Sequence, residues 1–176
     1  SYYHKSIGGY HPAKLRRYQE MIDAHIAPEM QKTMKAVAEA GGDMTKVNGD
    51  SIFPVLNMLN AKYFIMPLQG GQTVPVQNPY AYGNAWFVDE VKYVNNANEE
   101  IEGVGKVNLR HVAVADAKFK EQLNQSVKQD DTSVVKMTAY KPNNLTYEVK
   151  STKGGVIVFS EIYYPGWAAT VDGEPV

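Results

Sequence analysis

The chain contains no cysteine, which excludes disulfides, thiolate zinc sites and cysteine nucleophiles together. Neither charge is in excess: 18 Lys and Arg stand against 19 Asp and Glu, a formal net charge of -1. The diffuse basic field that lets a nucleic-acid binder neutralise phosphates is therefore missing, and no nucleic-acid partner is expected. No apolar run approaches the roughly 18 residues that read as a membrane span. Ser1-Tyr2-Tyr3-His4-Lys5 has no apolar stretch behind its charge and does not read as a signal peptide. Phosphate loops ending in Lys-Ser or Lys-Thr, nucleophile elbows and helical His pairs flanking a Glu are also missing. His4, His11, His25 and His111 lack metal-ligand spacing, so neither a metal nor another cofactor is expected.

What remains is a globular composition, 44% hydrophobic and 21% charged over 176 residues. A chain of that length buries roughly 70% of its unfolded surface and needs no covalent staple. Rings with a polar tip are abundant, with 12 Tyr and 2 Trp. Such side chains stack on sugars or line interfaces.

The pattern divides into two parts, 1–129 and 130–176, expected to pack as one domain. Leu15, Tyr18, Ile22 and Ile26 recur at helical spacing. Pro28 suits the first turn of a second helix with an apolar stripe of Met30, Met34, Val37 and Ala38, which Gly41-Gly42 ends. Residues 52 to 60 read as one or two helical turns. Tyr63-Phe64-Ile65-Met66 reads as a strand covered on both faces, and 69 to 84 as a long exposed loop. A second strand is expected from Ala85 to Val94, a short acidic helix or turn from Asn95 to Gly105, and a third strand from His111 to Ala115. Asp116 then caps a helix carrying Phe119 and Leu123.

After Thr132 the period becomes two. Val135, Met137 and Ala139 alternate with polar residues, as do Leu145, Tyr147 and Val149, with turns at Pro142-Asn143-Asn144 and Gly154-Gly155. Val156 to Phe159 and Trp167 to Val171 complete an expected antiparallel meander. Asp172-Gly173 signals a tight hairpin with only Glu174-Pro175-Val176 behind it. The expectation is an unpaired edge over 167–171 and a chain continuing into further strands. The fold class is α+β: N-terminal helices and a small mixed sheet packed on a C-terminal meander of sandwich or jelly-roll type.

Asp89-Glu90, Glu99-Glu100 and Asp130-Asp131 read as solvated charge, since strand neighbours point to opposite faces. Asn144-Leu145-Thr146 matches a glycosylation acceptor but sits where a turn favours Asn. Two clusters carry chemistry. The first is acid-free from Ser1 to Gln19 and holds Tyr3, His4, Tyr10, His11, Lys14, Arg16 and Arg17. Basic groups among rings can hold a phosphate, a lipid headgroup or an anionic membrane surface; they can equally form a mixed-charge helix face with Tyr packed inward. The second is Tyr163-Tyr164-Pro165-Gly166-Trp167, with Trp86 as a companion. Exposed, these rings make a sugar platform; buried, they are sandwich core.

Four segments resemble YfhO-like bacterial membrane proteins, especially those of the Bacteroides group. Ser1 through Gln19 resembles the start of their large extracytoplasmic region. Asn57-Met58-Leu59-Asn60-Ala61-Lys62-Tyr63-Phe64-Ile65, Gly83-Asn84-Ala85-Trp86-Phe87-Val88 and Ser160-Glu161-Ile162-Tyr163-Tyr164-Pro165-Gly166-Trp167 come after it in matching order. The resemblance implies a soluble accessory domain on the outer, periplasmic face of the cytoplasmic membrane. Its partner there would be the transmembrane part of its own parent chain. That parent is similar to GT-C glycosyltransferases, which move a sugar from a polyprenyl-phosphate carrier to a cell-envelope acceptor. It adds Asn84 to the substrate-binding set and carries no catalytic residue to this chain, because the family's catalytic carboxylate lies in a loop not represented here. The rivals are a non-enzymatic carbohydrate-binding or cell-envelope assembly module and a stand-alone glycan hydrolase.

Overall fold

The structure, a computed structural model, describes residues 6–7, 15–123 and 132–176. It is an α+β fold. Helix α1 (Arg16–Met21) runs through a π-helical turn (Ile22–Ile26) directly into α2 (Ala27–Glu39). Pro28 has no amide hydrogen and its ring crowds the preceding turn. The widened turn, in which the Ala27 amide reaches back to the Ile22 carbonyl, absorbs that without breaking the helix. Pro28 thus sits near the start of α2, yet the two helices form one rod.

Of the expected stripe on α2, Val37 is buried and Met30 packs against the core, but Glu29 and Thr33 complete the buried face and Met34 is 40% exposed. The reason lies in the next elements, α3 (Gly49–Ile52) and α4 (Pro54–Met58). A helix start leaves amide hydrogens without partners. In α4 the first position is Pro54, which has none. The next two amides, of Val55 and Leu56, donate to Glu29 Oε1 and Oε2 at 3.0 and 2.9 Å. Thr33 donates its hydroxyl to the Glu29 carbonyl at 2.8 Å. One carboxylate therefore caps a helix from another element, and the capped helix buries Phe53, Val55, Leu56 and Asn57 almost completely. Gly49 is required beside it, because a Cβ there would lie 2.3 Å from a ring carbon of Tyr80.

Asn57 continues the polar wiring inside the core. Its Nδ2 donates to the Gly49 carbonyl, its Oδ1 accepts from Asn78 Nδ2, and Asn78 Nδ2 also reaches the Ala61 carbonyl. These bonds tie α3 and α4 to both ends of a hairpin, β1 (Tyr63–Pro67) and β2 (Thr73–Gln77). β2 occupies part of the expected loop. Pro75 obscures it in sequence, and a two-stranded ribbon has free edges that tolerate a missing donor. The hairpin is covered on one face only: Phe64 and Met66 are buried, while Tyr63 and Ile65 are 59% and 61% exposed. The both-faces-covered reading of that strand is corrected accordingly.

The expected strand from Ala85 to Val94 breaks at Asp89 into β3 (Ala85–Val88) and β4 (Glu90–Val94). The amides of Asp89 and Glu90 both donate to the His111 carbonyl, which turns the chain from one ladder to another. β4 pairs in parallel with β5 (Val112–Asp116) across the short helix α5 (Ala97–Val104). Asn96 caps α5 by accepting the Asn98 and Glu99 amides, and Glu99 reaches back to the Asn95 amide. Asp116 does cap the next turn, and among the described residues a 3₁₀ turn (Ala117–Phe119) forms there in place of the expected helix.

β6 (Val134–Lys141) and β7 (Asn144–Lys150) form the expected hairpin, with an irregularity between Met137 and Ala139. β8 (Val156–Phe159) then leaves β7 and pairs antiparallel with β3, so the meander stops after one hairpin. Of the expected strand Trp167–Val171 only β9 (Thr170–Val171) forms. It pairs at once with β10 (Glu174–Pro175). Asp172 and Gly173 sit at φ 52 and 92, the two positive angles a tight primed turn needs. The Asp-Gly signal is correct, and the returning strand comes immediately; among the described residues β9 is paired on that one side only, so Thr170 and Val171 still stand at a sheet margin.

Replacing Glu29 by Ala strands two buried amides at about 1–3 kcal/mol each, and a loss of about 2–4 kcal/mol is expected in urea denaturation. The pH dependence has a definite sign. Burial pushes the Glu29 carboxyl above its usual 4.5, against the pull of the two amides, His25 and Lys32. A raised folded pKa gives stability that is present at low pH and lost as pH rises through it. The margin of wild type over Glu29→Gln should therefore shrink as pH rises above the usual 4.5. A margin that grows instead would mean that the amides outweigh burial.

Candidate functional site

Ser160 directly follows β8 and anchors the C-terminal segment to the body. Its amide donates to the Asn84 carbonyl at 2.9 Å. Its hydroxyl lies 2.7 Å from both the Met58 and Gly83 carbonyls. Three of the four segments that carry the family resemblance therefore meet at one residue. Beyond that anchor, every residue from 161 to 176 is exposed. Inside this arm the Trp167 amide donates to the Tyr164 carbonyl at 3.1 Å. Pro165 and Gly166 occupy the corners, with Gly166 at φ 108, a positive angle that glycine takes without strain. The turn sets Tyr164 and Trp167 at the two ends of one reversal, with Tyr163 next to them. These three rings are 57%, 40% and 74% exposed, in the order Tyr164, Trp167, Tyr163. Rings held this way offer apolar faces to the C–H side of a sugar and polar tips to its hydroxyls.

The ground beside the anchor is also aromatic. Tyr147 of β7 meets Phe159 edge to face, with centroids 4.9 Å apart. The Tyr147 hydroxyl is buried and finds no hydrogen-bond partner among the described residues. Burial raises its pKa, and the nearby charge of Glu161 raises it further.

Trp86 is elsewhere. It is 6% exposed, donates its indole N–H to the Leu109 carbonyl at 3.2 Å and packs edge to face on Tyr82 at 5.2 Å. It is a core residue, and its expected place in the platform is withdrawn. Asn84 stands at the foot of the arm through its carbonyl. Tyr82, with Arg110 over its ring at 5.1 Å, has its hydroxyl pushed up to about 12 by burial and the charge of Asp50.

The basic cluster is less free than its sequence suggests. Arg16 pairs with Glu20 at 3.0 Å one turn along, and Arg17 pairs with Glu100 of α5. An anion would have to compete with both carboxylates. Tyr3, His4, Tyr10, His11 and Lys14 lie outside the described residues. Sequence reading also missed a pair: His111 Nδ1 lies 2.7 Å from Asp89 Oδ2, brought together by the same chain reversal that separates β3 from β4. Nothing local marks it, since the two are 22 positions apart. Among the described residues no group of His, Asp and Glu is placed to hold a metal ion, and no helix is long and apolar enough to cross a membrane. No family model, curated protein or solved structure matches the chain.

Tyr147→Phe removes a buried hydroxyl that has no partner among the described residues and keeps the ring. An unmade buried hydrogen bond costs about 1–3 kcal/mol, so the variant should be neutral or up to about 1 kcal/mol more stable in thermal or urea unfolding. A clear loss of stability would show that the hydroxyl has a partner after all.

Proposed function

We propose that this chain is an accessory domain that contacts saccharide on the outer face of a bacterial cytoplasmic membrane, through Tyr163, Tyr164 and Trp167. Its parent would be a polytopic protein resembling a polyprenyl-phosphate-sugar glycosyltransferase. The observation carrying the saccharide part is the exposure of three adjacent rings on a tight turn whose base is anchored at Ser160. Apolar rings left in water have a cost that a ligand's apolar face can relieve. The second part rests on the resemblance of the sequence segments themselves. The rings would serve equally in a carbohydrate-binding module with no transferase attached. A series of apolar spans of about 20 residues each in the parent reading frame would decide for the transferase relative.

The two tryptophans make the test direct. Trp86 is buried and Trp167 is exposed, so quenching or a shift on adding cell-envelope oligosaccharides reports on Trp167. Saturable titration is expected, with affinity lost in Tyr164→Ala and in Trp167→Ala read by calorimetry. Stacking one ring is worth about 0.5–1.5 kcal/mol beyond its area, so a loss of about three- to tenfold per ring is the expected size. Unchanged binding in both variants would place the site elsewhere.

A further inference from the structure

Resting on that saccharide reading, we infer that the arm admits neutral and amino-bearing sugars and turns away uronates and sugar phosphates. Ring stacking alone cannot make this choice, because any pyranose with an apolar face can lie on Tyr or Trp. Charge makes it. From Gly154 to Val176 there is no Lys, Arg or His, while Glu161, Asp172 and Glu174 are present. None of these three carboxylates has an ion-pair partner among the described residues, and all three are exposed. On the neighbouring hairpin Glu148 is matched by Lys150 at 3.2 Å; the arm has no such match. Glu161 stands two positions before Tyr163, and Asp172 and Glu174 close the hairpin after Trp167.

A sugar carboxylate or phosphate seated on the rings would need cationic forks or amides to replace its water. The arm supplies no cationic side chain and three like charges on the same short segment, whose field reaches roughly 10 Å at 0.1 M salt. A neutral sugar meets no such repulsion, and an ammonium group finds attraction. Specificity here works by repulsion of the wrong ligand as much as by attraction of the right one. For a carrier-linked sugar, the arm would hold the saccharide end and leave the phosphate end to other groups.

The test compares three oligosaccharides of equal length: N-acetylglucosamine, glucosamine and galacturonate oligomers, titrated at low and high salt. Expected at low salt is saturable binding of the neutral oligomer, tighter binding of the amino oligomer, and binding of the uronate weaker by about tenfold or more. High salt should draw the three together. Glu161→Gln combined with Asp172→Asn and Glu174→Gln should raise uronate affinity to the neutral level and leave the neutral oligomer within about twofold. Asn tolerates the positive φ at position 172, and Glu161→Gln alone, outside the hairpin, should close part of the gap if the triple variant folds poorly. Uronate bound as tightly as the neutral oligomer by wild type, or a gap that survives the substitutions, overturns the inference while leaving the saccharide site standing. Loss of binding to all three by folded protein removes the saccharide reading and this inference with it. So does association only with anionic vesicles.

Discussion

The head of α4 is the point on which the rest of the molecule hangs. Five residues cannot hold a helix by their own hydrogen bonds, since nucleation costs more than so short a run returns. Pro54 removes one orphan amide and Glu29 satisfies the next two. The carboxylate is buried to do this, which is unfavourable for a charge standing alone. With both oxygens engaged, the helix forms, and Phe53, Val55 and Leu56 enter the core at 1% exposure or less. From α4 the constraint passes to Asn57 and Asn78, which hold the ends of the β1–β2 hairpin, and to the Met58 carbonyl, which receives Ser160.

That sequence of dependencies ends at the aromatic arm. Its base is tied to α4, to Gly83 and to Asn84, so the arm leaves the body at a defined place. The arm itself has only its turn and a two-residue ladder to order it. The arm thus joins a root fixed to the body with a surface that holds few bonds of its own. The route from Glu29 to Ser160 makes the root of the arm sensitive to core mutations at a distance.

Charge is arranged differently at the two clusters singled out in the sequence. Arg16 and Arg17 meet Glu20 and Glu100, so two arginines of an acid-free stretch of sequence find carboxylates in space. The arm shows the converse. Its three carboxylates meet no cation among the described residues, and a chain of net charge -1 still presents a locally acidic face. Net charge thus said nothing about the local sign of either cluster.

The amino-acid sequence by itself determined the features that depend on a few neighbouring residues. The Asp172-Gly173 reversal, the Pro142-Asn143 hairpin, the glycine end of α2 and the Asn96 cap of α5 all arise from local sterics and hydrogen bonding. So did the composition of the arm, aromatic and acidic without a base. Only the tertiary structure decided which faces are covered. Phe64 and Ile65 are equally apolar neighbours, yet one is 2% and the other 61% exposed, because only one face of their hairpin has a body beneath it. Trp86 and Trp167 parted in the same way: one indole is buried against a carbonyl 23 positions away that receives its N–H, and the other stands on an arm with no body over it. Burial depends on what distant segments bring to a side chain. Ser160 finds its partner 102 positions back, beyond the reach of any local pattern.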